Sequence, residues 1–179
     1  MPILCGIDEA GRGPLAGDLV IAGVILTKEL KGLMDSKILS EKTREELYPI
    51  IIENSLHHIV SFSPQEIDNN GLSACLGKGL ESIQKNLKAQ IYLFDGNQTF
   101  GILGISNMVK ADKKVPEVSA ASILAKVTHD RAIINSSKKF PLYGFEKHKG
   151  YGTKAHIKAI KEHGYCEIHR RSFNIKNLH

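Results

Sequence analysis

The chain has 179 residues, 42% of them apolar, and its 24 Lys and Arg against 19 Asp and Glu give a formal net charge of +5. That length supports one well-buried core rather than two, and the basic balance favours a polyanionic partner without identifying one. The longest apolar run, residues 19–26, is far below the ~20 residues of a membrane helix, no signal-like start precedes it, and Cys5, Cys75 and Cys166, in no C-x-x-C pair, argue against a disulfide framework. A single domain over residues 1–179, monomeric, cytoplasmic and off the membrane, is expected.

In chain order, residues 3–7 read as a buried strand, with Asp8 and Glu9 where it leaves the sheet. Gly11-Arg12-Gly13 then reads as a loop whose glycines let backbone amides approach a ligand closely. Residues 19–27 read as a second strand. Ser40 is placed to cap a helix with Glu41 in its first turn and Leu47, Ile50 and Ile51 on one face, which Pro49 should kink or interrupt. After a third strand candidate at 58–63, Leu72, Leu76, Leu80, Ile83 and Leu87 recur at three- and four-residue steps, so 71–88 reads as an amphipathic helix despite Gly77 and Gly79. Strand candidates at 91–94 and 105–110 lead to Asp95 and Asp112. A helix is expected from near Pro116 to about Asn135, where Ser119, Ala120, Ala121, Ser122 and Ala125 allow close packing on a sheet, and Thr153 can cap a last helix reaching His163. The order is mixed α/β: a central sheet of about five strands flanked by helices, not the strict alternation of a doubly wound fold.

Asp8, Glu9, Asp95 and Asp112 come from three strand ends. Taken singly, each is readily explained as a turn former or cap. Together they suggest a converging cluster. Carboxylates about 4 Å apart repel by roughly 4 kcal/mol per pair in a partly screened site, so a cluster needs cations or protons to persist near neutral pH. Oxygen-only donors without a His or Cys frame select hard ions, Mg²⁺ or Mn²⁺, and two such ions can stabilise both the attacking and the leaving oxygen of a phosphodiester. The last quarter, about 140–179, is basic and helical, with Lys147, Lys149, Arg170 and Arg171 among interleaved aromatics; it suits a nucleic-acid backbone, or is a solvated face over core aromatics. His163, Cys166 and His169 are spaced for zinc but lack an evident fourth ligand. Asp130 reads as a surface or supporting acid, and Gly11-x-Gly13 has the wrong spacing for a dinucleotide fingerprint.

The stretch Ile7 to Gly17, I-D-E-A-G-R-G-P-L-A-G, resembles the opening motif of ribonuclease HII, the type 2 ribonuclease H family. So do Asp35-Ser36-Lys37, Phe94-Asp95-Gly96-Asn97, Lys110-Ala111-Asp112, S-A-A-S-I-L-A-K-V-T at 119–128, K-H-K-G-Y-G-T at 147–153 and H-R-R-S-F at 169–173. The resemblance covers nearly the whole chain. It implies a ribonuclease H-like fold, with Asp8, Glu9, Asp95 and Asp112 as the catalytic acids that bind two Mg²⁺ or Mn²⁺ ions. It also implies Gly11, Arg12 and Gly13 as the substrate-reading loop, Ser36 and Lys37 as substrate contacts, and Tyr151 as the tyrosine at the RNA to DNA junction. On residue physics alone Lys37 is equally a phosphate contact or a solvated lysine. Three departures stand out: Asp18 for proline, Ile38 within the D-S-K-K segment, and His129 for the arginine of T-R-D.

The implied activity is endonucleolytic hydrolysis of the RNA strand of RNA/DNA hybrids, and incision 5′ of ribonucleotides embedded in duplex DNA, leaving 5′-phosphate and 3′-hydroxyl ends, as in ribonucleotide excision repair. Alternatives are a ribonuclease HIII-like enzyme, which usually has an added N-terminal domain, and a catalytically silent hybrid-binding module, which should lack one of the four acids. No sliding-clamp motif is evident after Phe173.

Overall fold

The computed structural model describes residues 2–33 and 39–174. β1 (Leu4–Ala10) lies at the centre of a five-stranded sheet, antiparallel to β2 (Leu19–Leu26) and parallel to β4 (Ile91–Asp95). β3 (Ser55–Phe62) pairs antiparallel with β2, and the short β5 (Ser106–Met108) pairs parallel with β4, giving the order β3-β2-β1-β4-β5.

β2 is covered on both faces, which is why it reads as an unbroken apolar run. Its period-two alternation sorts the core into two layers. Val20, Ala22 and Val24 pack with Ile51 of α1 (Glu41–Glu53) and the small residues Ala120, Ala121 and Ala125 of α4 (Pro116–Lys139). Leu19, Ile21 and Ile25 pack with Leu76, Leu80 and Ile83 of α3 (Leu72–Asn86). The approach of α4 to β1 is unusually close: a Cβ on Gly6 would overlap the α4 backbone at Glu117 and Val118. This draws the first turns of α4 alongside the end of β1, where Asp8 and Glu9 stand.

The structure alters several sequence expectations. β1 does not stop before the acids; it continues through Asp8 and Glu9, which pair with Ala22 and Ile21, because ladder hydrogen bonding does not depend on the side chain. α1 has the expected cap, the Ser40 hydroxyl accepting from the Thr43 amide, but runs unbroken through Pro49, and Ile50 faces solvent. Packing of Leu47, Ile51 and Ile52 on the α4 layer holds the helix together across the missing amide. The expected strand at 105–110 shrinks to three exposed residues, and Asp112 sits in a separate 3-10 turn, Ala111–Lys113. α2 (Pro64–Asn70) precedes α3 and was not foreseen, and α4 extends four residues beyond Asn135 to Lys139.

Past α4, α5 (Phe145–His148) and α6 (Lys154–His163) build a third apolar cluster with Ala16, Ile133, Tyr143 and Ile160. Thr153 caps α6 as expected, accepting from the His156 amide. The C-terminal segment then returns to the loop after β1. The Leu15 amide donates to the Gly150 carbonyl at 2.8 Å, the Gly17 amide to Ile168 at 2.9 Å, and the Arg170 amide to Leu15 at 2.8 Å. The spaced trio His163, Cys166 and His169 does not converge on one point. Only Cys166 and His169 touch, Sγ to Nδ1 at 3.0 Å, while His163 packs edge-on against Tyr143.

Candidate active site

The ends of β1 and β4, the loop after β1 and one face of α4 enclose a cavity of about 780 Å³. Asp8, Glu9 and Asp95 line it, with Gly11, Arg12 and Gly13 along one side and Tyr151 on the rim. Asp8 is buried; its Oδ1 accepts the Glu9 amide at 2.8 Å and its carboxylate also takes a hydrogen bond from the Ser122 hydroxyl. Burial pushes the Asp8 carboxyl well above the usual carboxylate range, and the neighbouring charges of Glu9 and Asp95 add to this. Glu9 is raised as well, mainly by burial, with Arg12 opposing and Asp95 reinforcing the shift. Arg12 Nη2 lies 2.9 Å from Glu9 Oε1. Glu9 Oε2 is buried with no hydrogen-bond partner among the described residues.

Asp95 accepts the Lys110 amide at 2.9 Å, and Lys110 reaches it by adopting a left-handed conformation (φ 60°) uncommon for a residue with a Cβ. That bond ties the Lys110-Ala111-Asp112 turn to the end of β4. Asp112 itself is fully buried and does not border the cavity. Three of the four expected acids therefore share the cavity wall, and the fourth is buried outside its lining. Among the described residues no group of three or more His, Cys, Asp or Glu side chains is arranged to hold a metal ion. The donor set nevertheless fits hard cations: crowded carboxylates raised by burial and mutual repulsion, and a buried Glu9 oxygen aimed at no donor, are relieved by positive charge.

The loop after β1 is braced from beneath. Gly11 has φ +87°, and a Cβ there would overlap the Asp18 carbonyl and lie 2.7 Å from the His129 ring, so both its conformation and its surroundings demand glycine. Arg170 is fully buried, donating from Nε and Nη2 to the Gly17 carbonyl at 2.9 and 2.8 Å and from Nη1 to the Arg12 carbonyl at 3.3 Å. Burial lowers its pKa to about 10. Arg170, expected within a basic stretch that suits a nucleic-acid backbone or forms a solvated face, is instead the loop's internal clamp, because its guanidinium is fully buried. Lys149 is also mostly covered, its ammonium donating to the Glu146 carbonyl at 2.6 Å, whereas Lys147 is exposed. Two departures from the family pattern pack against the same loop. His129 is buried with Nδ1 2.9 Å from Asp130 Oδ1, and Asp18, raised by burial, is held down by His129 and Arg170.

Tyr151 is 43% exposed, and a Cβ on Gly13 would lie 3.8 Å from its ring across the cavity mouth. The Lys126 ammonium sits 5.8 Å from the ring centroid and 2.8 Å from Asp130 Oδ1. Ser36 and Lys37 lie outside the described residues. Ser122, Lys126, Asn97 and Arg44 also line the cavity and were not singled out as site residues. Ser122 and Lys126 carried a signal, since residues four apart share a helix face. Arg44 carried none, because α1 is distant in sequence from every acidic motif.

The ribonuclease HII family model matches residues 5–176. Ribonuclease HII of Sulfurovum sp. (strain NBC37-1) is 66% identical over 175 residues, covering 98% of this chain and 93% of that protein. Among solved structures, the PCNA:RNase HII complex from Archaeoglobus fulgidus superposes with a TM-score of 0.85 at 29% identity, covering 97% of this chain and 96% of that one. Bst-RNase HIII in complex with Mn²⁺ shares the fold more distantly, with a TM-score of 0.68 at 15% identity, covering 91% of this chain and 63% of that one.

Proposed function

The chain belongs to the ribonuclease HII family, endonucleases that hydrolyse RNA in RNA/DNA hybrids, and from that premise we propose that it is a metal-dependent enzyme that also incises duplex DNA 5′ of embedded ribonucleotides, leaving 5′-phosphate and 3′-hydroxyl ends. The observation that carries the reading is the crowding of Asp8, Glu9 and Asp95 in one cavity faced by a glycine-flanked loop and an exposed tyrosine. Bound to these three acids, Mg²⁺ or Mn²⁺, two ions per site, would supply positive charge for the attacking water and the departing 3′ oxygen; the resemblance adds Asp112 to the set, although it lies outside the cavity lining.

The remaining roles fall to the chain's own groups. Gly13 leaves the loop backbone open to a ribose 2′-hydroxyl, the group that distinguishes RNA from DNA at a given position, while Gly11 lets the loop turn tightly over Asp18 and His129. The Arg12 side chain is engaged by Glu9 and its carbonyl by Arg170, so Arg12 holds the loop's shape as well as lining it. Tyr151 stands opposite Gly13 and offers its ring to the sugar on the 3′ side of the ribonucleotide. Arg44 and Lys126 place cations on the wall for phosphate oxygens. The C-terminal segment serves the same catalytic domain by bracing the loop. A silent binding module is disfavoured because all four acids are present. The test is Asp8→Asn and Asp95→Asn: hybrid binding should survive while cleavage falls by roughly three orders of magnitude or more. Near-normal turnover by either variant removes the assignment.

A further inference from the structure

Beneath Tyr151 a chain of hydrogen bonds runs through two buried imidazoles. The Tyr151 carbonyl is 3.0 Å from His156 Nδ1, His156 Nε2 is 3.0 Å from His169 Nε2, and His169 Nδ1 is 2.9 Å from the Cys166 amide nitrogen. Both rings are essentially without solvent contact. His148 stacks on His156 with centroids 4.4 Å apart, and Phe145 and Tyr143 close the remaining sides.

The two ends of this chain dictate its direction. A carbonyl only accepts, so His156 Nδ1 must carry a proton. A backbone amide only donates, so His169 Nδ1 must be bare, and the Cys166 thiol 3.0 Å from it is a second donor to the same lone pair. With both rings neutral, His169 Nε2 then donates to His156 Nε2, and every contact is satisfied with no choice left. Placing a second proton on either ring sets two donors against each other. The surroundings agree: burial lowers both imidazoles to about 4, so they are neutral at physiological pH.

We propose that His156 and His169 are positioning residues that fix the Tyr151 backbone, and through it the ring, at a set distance from the substrate-reading loop. The inference rests on the junction role given to Tyr151 above. Its basis is connectivity. His156 is held by the cap of α6, where its amide donates to the Thr153 hydroxyl at 3.2 Å. His169 forms an isolated β-bridge with Ala16, within the loop, and its neighbours Ile168 and Arg170 bond Gly17 and Leu15. On the other side, the Leu15 amide reaches Gly150, next to Tyr151. The loop that carries Gly13 and the residue that faces it are thus joined twice, directly from Leu15 to Gly150 and through the two imidazoles. The Tyr151 hydroxyl makes no hydrogen bond among the described residues, so the half-exposed ring is aimed by its backbone and by the Lys126 ammonium 5.8 Å from its centroid.

The test uses the full chain. His156→Leu removes one of the two donors to the Tyr151 carbonyl, the other being the Thr153 amide at 2.8 Å, whereas His156→Asn restores it, because the Asn amide nitrogen falls near the position of Nδ1. On a duplex with one embedded ribonucleotide, His156→Leu should lose roughly tenfold or more in kcat, with a much smaller loss on a continuous RNA/DNA hybrid, and His156→Asn should recover most of it. Added to Tyr151→Ala, His156→Leu should cost nothing further on the single-ribonucleotide duplex. Equal losses on both substrates with no recovery by Asn, or a further loss in the double variant, overturn the proposal. Nitrogen-15 NMR of the wild-type imidazoles gives a readout that needs neither activity nor a folded Leu variant: His156 should be the Nδ1–H tautomer and His169 the Nε2–H tautomer, and any other pair overturns the relay. Failure of the junction role itself is separable, since Tyr151→Ala alone would then lose equally on both substrates while the tautomers stayed as assigned.

Discussion

Asp8 carries the strongest electrostatic conflict in the site, and its sign makes a prediction independent of catalysis. A carboxyl whose folded pKa lies above its unfolded value contributes stability that is present in acid and lost as pH rises through the folded pKa. In chelator, Asp8→Asn should therefore melt above wild type at pH 8 by at least about 1 kcal/mol, some 2–4 °C, with the gap closing as pH falls towards the acid range. Thermal unfolding across that range checks it. A variant that melts below wild type at pH 8 would mean that Asp8 is stabilised by its neighbours, not repelled. At the same scale, three of the four acids singled out in the sequence, Asp8, Glu9 and Asp95, line the cavity, because carboxylates near strand ends are few and specific in sequence. Their depth was not legible: burial of Asp8 follows from α4 being drawn in over Gly6, a long-range contact with no local trace. Arg170 and Arg171 show the same limit. They look alike in sequence, yet one clamps the loop carbonyls and the other lies at the surface beside Tyr165.

Among the elements, α1 is the clearest case of tertiary packing overriding a local preference. Pro49 removes one intrahelical hydrogen bond and crowds the carbonyl of Glu45, yet Ile51 is buried and keeps the helix on the sheet. Because Pro49 is itself exposed, Pro49→Ala should stabilise the protein by about 1–3 kcal/mol without changing cleavage. An unchanged or lower melting temperature would show that the helix relies on proline's fixed φ. α2 is the converse. Ser63 and Glu66 cap reciprocally and Pro64 occupies the first turn, a local signal present in the sequence but overshadowed by the longer periodicity of α3. The strand at 105–110 failed for another reason: β5 is an edge strand, and the apolar residues Met108 and Val109 are exposed, not paired into a core.

Over the whole molecule, the positive balance was visible from composition, but which cations meet substrate depends on the fold. Arg44 lines the cavity while Arg170 is sealed beneath the loop. Arg44→Gln should weaken binding to hybrids of any sequence and reduce the salt slope of log Kd by about one, as the loss of one phosphate contact requires. Arg170→Gln should instead lower thermal stability by about 2–4 kcal/mol, by leaving buried carbonyls without donors, and leave the salt slope of the remaining folded protein near its original value. The reverse pattern would exchange their roles. The central claim, a metal-dependent incision guided by a single 2′-hydroxyl, is tested most directly by end analysis of a DNA duplex carrying one ribonucleotide, treated with the purified chain in Mg²⁺ or Mn²⁺ and in chelator. One nick is expected, on the 5′ side of the ribonucleotide, leaving a 3′-hydroxyl and a 5′-phosphate, with no cleavage in chelator. Cleavage that persists without divalent metal, or a nick on the 3′ side, would contradict that claim.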